Sequence, residues 1–241
     1  MNYNNFNPKF LPKINYLTKI PIVYLQEKRI VTENYLKVIP LHPIFIKMQE
    51  NINAELNAEV FKANEVIQNG GIILYPTDTV WGIGCDATNP EAVAKIYKLK
   101  QREETQSMIC LVNGEKMMYT IFKDIPEVAW QIMDLSEKPT TLILDKPRNV
   151  APNIVAADNT LGIRMVKEPF CFKLMERMKK PLVSTSANIS GQTTPKSFKE
   201  INPEIIKGVD YVVNLNRDKI CDKPSTIIKL TNDCQVKIIR K

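Results

Sequence analysis

Two threonines flank an aspartate in Tyr75-Pro76-Thr77-Asp78-Thr79-Val80-Trp81-Gly82-Ile83-Gly84, directly after the apolar run Ile72 to Tyr75. Hydroxyls at the end of a strand can line a cavity for a small polar ligand, and they can equally form an ordinary polar turn. A second group is Lys100 and Arg102 in K-L-K-Q-R, at the exit of a helical stretch. Residues two apart share a face only on an extended segment. There the pair could grip phosphate oxygens, the guanidinium as a fork and the ammonium as a point charge, although cations are common at helix C-termini in any case. The third group is V-S-T-S-A-N-I-S-G-Q-T-T-P, Val183 to Pro195. Its hydroxyls, amide and turn backbone are donors for phosphate or carboxylate oxygens, and they are also common turn formers. Arg164 sits between Ile163 and Met165, with Thr160 ahead of it, on an apolar run where a guanidinium requires an anion, either a ligand or a structural carboxylate. Ser225 and Thr226 open a further apolar run, and Arg240 follows fourteen residues after Thr226.

Other chemistries are removed by composition. The one histidine is His42, so from Met48 onward there is no imidazole for acid/base, nucleophilic-triad or HExxH metal chemistry. Five cysteines are scattered without a CxxC pair and no secretory leader is read, which suits a reducing cytoplasm and predicts no metal site. No apolar run reaches the roughly 18 residues of a membrane helix. Net charge is +7, but residues 1–47 carry +5 of it and the remaining 194 carry +2, so a sequence-independent grip on nucleic acid is not implied for the main body. Gly82-Ile83-Gly84-Cys85-Asp86-Ala87 fits the dinucleotide fingerprint G-x-G-x-x-A in letters alone. Six residues separate it from the strand, and the next helix starts at Asn89, so its glycines cannot set a pyrophosphate on a helix N-terminus.

The elements that must position these groups follow from periodicity. Leu56, Val60, Ala63, Val66 and Ile67 recur at helical spacing and stop at Gly70-Gly71. Asn89-Pro90-Glu91 is a helix start, with a cap, a proline and an acid in order. Further helices are expected over Glu127 to Leu135 and Pro169 to Lys179. Strands are expected at Ile72 to Tyr75, Met108 to Val112, Thr140 to Leu144, Leu161 to Met165, Leu182-Val183, Tyr211 to Asn214, Thr226 to Leu230 and Val236 to Ile239. The result is an α/β protein with an open, twisted, mixed sheet and flanking helices around a concave cavity. Residues 1–50 read as an N-terminal extension, poorly ordered or non-catalytic, with Met48 as a candidate true start. Residues 51–241 read as the catalytic domain.

Taken in order, YPTDTVWGIGCDA, KLKQR, NTLGIRM, STSANISG, PSTIIKL and IIR resemble the motif set of the YrdC-like L-threonylcarbamoyladenylate synthases over about residues 55–241. The resemblance implies a cytoplasmic nucleotidyltransferase that joins L-threonine, bicarbonate or CO2, and ATP into threonylcarbamoyl-AMP and pyrophosphate. A tRNA threonylcarbamoyl transferase then uses the product to make N6-threonylcarbamoyladenosine at position 37. It implies that Thr77, Thr79, Arg164, Ser184 and Ser225 or Thr226 hold threonine. It implies that Lys100 and Arg102 face the ATP phosphates as the catalytic cations, joined by Gln106, Thr160, Ser186, Asn188, Thr194 and Arg240. Magnesium is expected with the ATP rather than in a protein cage. Leu111 stands where some relatives have a histidine. The alternative is an RNA-binding protein of the same fold that lacks synthesis.

Overall fold

Runs of β-branched and aliphatic residues separated by capped amphipathic stretches become a strand-rich sheet with helices packed on it. The computed structural model describes residues 25–26, 29–32, 35–40, 43–103, 108–221, 224–232 and 235–240. By contacts the chain divides into two units, Met1–Ala54 and Glu55–Lys241. The first holds three antiparallel strands, β1 (Leu25–Gln26), β2 (Arg29–Thr32) and β3 (Tyr35–Pro40), where the sequence had suggested no regular element. Helix α1 (Pro43–Gln68) begins well before the expected periodic stretch and ends in a turn through Gly70, whose φ is +74°.

The second unit is built on nine strands. They are β4 (Ile73–Tyr75), β5 (Gly82–Gly84), β6 (Ile109–Val112), β7 (Thr140–Asp145), β8 (Thr160–Met165), β9 (Leu182–Ser186), β10 (Tyr211–Val212), β11 (Thr226–Leu230) and β12 (Val236–Arg240). Their order across the sheet is β10-β4-β5-β9-β6-β8-β7-β11-β12. The β10–β4, β6–β8 and β7–β11 pairs are parallel and the remaining neighbours antiparallel, so the sheet is mixed as expected. Around it lie α2 (Pro90–Leu99), α3 (Glu115–Ile121), α4 (Glu127–Leu135), α5 (Pro169–Met178) and α6 (Pro203–Gly208). Asn89 caps α2 by accepting from the amides of Glu91 and Ala92 at 3.0 and 3.1 Å, an interaction worth about 1 kcal/mol. One core joins Val60, Ala63 and Ile67 of α1, Ile96 of α2, Phe170 and Leu174 of α5, and the strand residues Leu74, Leu111, Ile163 and Val183.

Strand β5 was not expected, because Gly82-Ile83-Gly84 is a poor strand former by composition. Its glycines are required by packing. A Cβ on Gly84 would press on the Val183 carbonyl and lie 2.8 Å from the Tyr75 ring. The pair therefore forms part of an antiparallel ladder, Ile73 to Gly84 and Tyr75 to Gly82, and not a phosphate-binding turn. At the far edge, β12 pairs among the described residues with β11 alone, and Val236, Ile238 and Ile239 are about half exposed. Among the described residues no helix is long and apolar enough to cross a membrane.

Candidate active site

A hollow of about 360 Å³ opens within the second unit. Ile109 of β6, Thr141 of β7, Arg164 of β8 and Ile227 of β11 all contribute to its lining. Gly162 lets Ile109 pack close against β8, since a Cβ there would lie 2.8 Å from Ile109 Cγ2. The other lining residues come from the loop after β4, the end of β9, the segment Thr194 to Lys196, and the start and end of the last hairpin.

The loop after β4 is closed by its own hydroxyls. Thr77 Oγ1 donates to the Val80 carbonyl at 2.7 Å and accepts from the amides of Thr79 and Val80 at 3.0 and 3.2 Å. The two hydroxyl oxygens, Thr77 Oγ1 and Thr79 Oγ1, also lie 3.0 Å apart. Thr79 Oγ1 in turn accepts from Arg164 Nη1 at 3.2 Å. Arg164 is 4% exposed and pairs through Nη2 with Asp78 Oδ1 at 3.0 Å. That contact is a charge pair without an aligned hydrogen bond, for Asp78 Oδ1 and Arg164 Nε are both buried without a hydrogen-bond partner. Glu168, which caps α5 by accepting from the Cys171 amide at 2.8 Å, is raised in pKa mainly by burial, with a further rise from the charge of Asp78.

The loop after β9 is held differently. Lys100, 1% exposed, donates its ammonium protons to the carbonyls of Ser186 and Asn188, the latter at 2.6 Å. Burial, and then the nearby charge of Arg102, push the Lys100 pKa down to about 7. The Lys100 carbonyl accepts from the Ser190 amide at 2.9 Å, so this one residue ties both ends of the Ser186–Ser190 turn. Arg102 reaches the hollow itself, with Nη1 3.4 Å from Thr185 Oγ1. Across the hollow, Arg240 donates from Nε and Nη2 to the Ser225 carbonyl at 3.0 and 2.8 Å, and Ser225 Oγ lies 2.9 Å from Thr141 Oγ1.

Of the residues singled out in the sequence, Thr77, Thr79, Arg102, Arg164, Ser184, Ser186, Thr194, Ser225 and Arg240 all line this one hollow. Lys100 and Asn188 do not. The lysine holds backbone carbonyls, and Asn188 Nδ2 donates to the carbonyls of Ile189 and Gln192 at 2.9 and 2.8 Å. Thr160 shares the strand face of Arg164 four residues earlier, but its hydroxyl donates to Asp158 Oδ1 at 2.7 Å and it is not part of the lining. Ser225 stands on the wall while Thr226 enters the β7–β11 ladder opposite Thr140. Gln106 lies outside the described residues. Thr185, one of the hydroxyls of the Val183 to Pro195 group, lines the hollow as well, and so do Thr141 and Lys196, which sequence reasoning did not select. Lys196 lies two residues after Thr194, a proximity that could have drawn attention to it. Thr141 is visible only once the sheet order is known.

The profile of the Sua5/yciO/yrdC family, described as Telomere recombination, matches residues 65–241. The chain belongs to the Sua5/YciO/YrdC family. Its relatives include a putative threonylcarbamoyl-AMP synthase of Methanocaldococcus jannaschii, 38% identical over 78% of this chain and 88% of the relative. Among solved structures in the family, P. abyssi Sua5 complexed with L-threonine is 27% identical, with a TM-score of 0.64 over 71% of this chain and 50% of that one. E. coli YciO is 25% identical, with a TM-score of 0.66 over 76% of this chain and 88% of that one. The chain thus spans about half the length of the P. abyssi Sua5 structure.

Proposed function

We infer that the protein is a threonylcarbamoyl-AMP synthase, a nucleotidyltransferase that uses L-threonine, bicarbonate or CO2, and ATP. The observation that carries this reading is the convergence of hydroxyls from five stretches with Arg102, Arg164, Lys196 and Arg240 on one hollow. The relatives named threonylcarbamoyl-AMP synthase and the threonine complex of P. abyssi Sua5 support it.

In this mechanism Arg164 on the wall binds the threonine carboxylate, and Thr79, which accepts from Arg164 Nη1, keeps a lone pair for the amino acid's polar protons. The amine adds to CO2 and loses a proton to form a carbamate. A carbamate oxygen then attacks the α-phosphorus, and pyrophosphate leaves with the electron pair of the broken P–O bond. Arg102 and Arg240 stabilise the charge that builds on the phosphates, aided by the hydroxyls of Ser186 and Thr194. Lys100 contributes through the loop it holds. The described lining contains no carboxylate, and no cluster of three or more metal-ligating side chains occurs among the described residues. These residues fit a metal as part of the nucleotide, so magnesium would arrive with ATP and screen its phosphates there. The product would pass to a tRNA threonylcarbamoyl transferase. The buried free thiols of Cys85, Cys110 and Cys171 suit a cytoplasmic setting.

The test is incubation of the purified protein with ATP, bicarbonate and each amino acid in turn, read by mass spectrometry for the acyl-adenylate. Threonine-dependent appearance of that mass together with pyrophosphate is expected. Its absence at all amino acids would overturn the reading.

A further inference from the structure

Among the described residues the wall of the hollow carries four cations, Arg102, Arg164, Lys196 and Arg240, and no carboxylate. Both substrates must enter it, one a polyanion and the other a zwitterion of zero net charge. An array of cations alone would draw phosphate to every position, including the one that must receive the amino acid. The carboxylate that breaks this uniformity is Asp78. It does not line the hollow. It lines a separate recess of about 230 Å³ together with Met165, Lys138 and Lys167, and from that side contacts Arg164 Nη2 at 3.0 Å. The neighbouring hydroxyl, Thr79, takes Nη1, so consecutive residues of one loop hold the two terminal nitrogens. Arg164 thus has a carboxylate contact supplied from behind the wall. The Arg164 position therefore carries little net charge.

We propose that Asp78 is a specificity-determining residue, cancelling the charge of Arg164 from outside the hollow so that this position accepts an amino-acid zwitterion and rejects phosphate. The proposal rests on the synthase reading for the identity of the two substrates. Its physical basis is that a like or unlike charge in contact changes the affinity of an anion far more than that of a neutral dipole. Asp78→Asn keeps the shape of the side chain and removes the charge, and Asp78→Glu restores a carboxylate.

The experiment is calorimetric titration of the full chain and both variants with L-threonine, alone and against fixed inorganic pyrophosphate. Thermal melts verify that each variant is folded. In the wild type, pyrophosphate should weaken threonine binding little. In Asp78→Asn it should compete at least about tenfold more strongly, and Asp78→Glu should return toward the wild type. A second arm needs no variant: 3-hydroxybutyrate, which is threonine without its amine and carries a net negative charge, should bind the wild type at least about tenfold more weakly than threonine. A folded Asp78→Asn with wild-type competition, or equal wild-type affinity for the two ligands, would overturn the proposal and leave the synthase reading intact. A wild type that binds no threonine would instead overturn the synthase reading, and the proposal with it.

Discussion

The loops after β4 and β9 both leave the sheet at the hollow and both deliver hydroxyls to it, yet they are locked by different means. Thr77–Val80 is held by side-chain oxygens accepting backbone amides, and by an arginine gripped between Asp78 and Thr79. Ser186–Ser190 is held by a single buried ammonium on two carbonyls. The first device uses opposite charges that largely cancel. The second places a cation on backbone dipoles, where its charge is costly and its proton weakly held. The comparison teaches that two cations read from sequence as equivalent, Lys100 and Arg102, are divided by the structure into a support and a wall residue.

The largest effect should come from Arg102→Ala. Loss of a preorganised donor from the wall should lower kcat about 10²- to 10³-fold, or ~3 to 4 kcal/mol, while the melting temperature moves little. Steady-state assays of pyrophosphate release with a parallel melt would measure both. Next is Thr77→Val, which deletes the hydroxyl that closes the first loop. It should cost about 1 to 3 kcal/mol of stability in a urea titration and raise the KM for threonine more than that for ATP. An equal rise in both would mean that the two loops are not independently locked.

Lys100→Met sharpens the second half of the comparison. Because burial lowers the folded-state value to about 7 while an unfolded lysine titrates near 10.4, the unfolded chain binds more protons between those values. Stability of the wild type should therefore rise with pH across that window relative to the variant. Below about pH 7 both states carry the proton and the cost of burying the charge is fully present. Melting curves of both proteins from pH 6 to pH 10 would reveal the diverging slopes, and parallel curves would remove the buried ammonium as the clasp of the second loop. The smallest effect is reserved for Thr226→Ala, which should leave the KM for threonine within about twofold, since this surface-type change lies off the wall. Ser225→Ala should raise it more.

Much of this architecture was legible because a strand such as Ile109–Val112 is a continuous apolar run, and because Asn89-Pro90-Glu91 announces α2 through local chemistry. Strand β5 was hidden because its glycines answer to Tyr75 and Val183, a demand made by neighbours rather than by the chain itself. Helix α3, only seven residues long, gave too few turns for a period to register. Within the hollow, the order of motifs led to nine lining residues, from Thr77 to Arg240. The direction of Lys100 was not legible, since its acceptors lie 86 and 88 residues further along the chain. Thr141 and Lys196 were missed because their position depends on which strands and loops become neighbours.

Arg240 rides on β12, the outermost strand, which has a neighbour on one side only. Rim strands open most readily, so each fraying event would withdraw a guanidinium from the hollow and admit solvent beside Ser225. Nucleotide engaging that guanidinium would in return fasten the margin of the sheet, which makes ligand occupancy and the integrity of the final hairpin two readings of a single equilibrium.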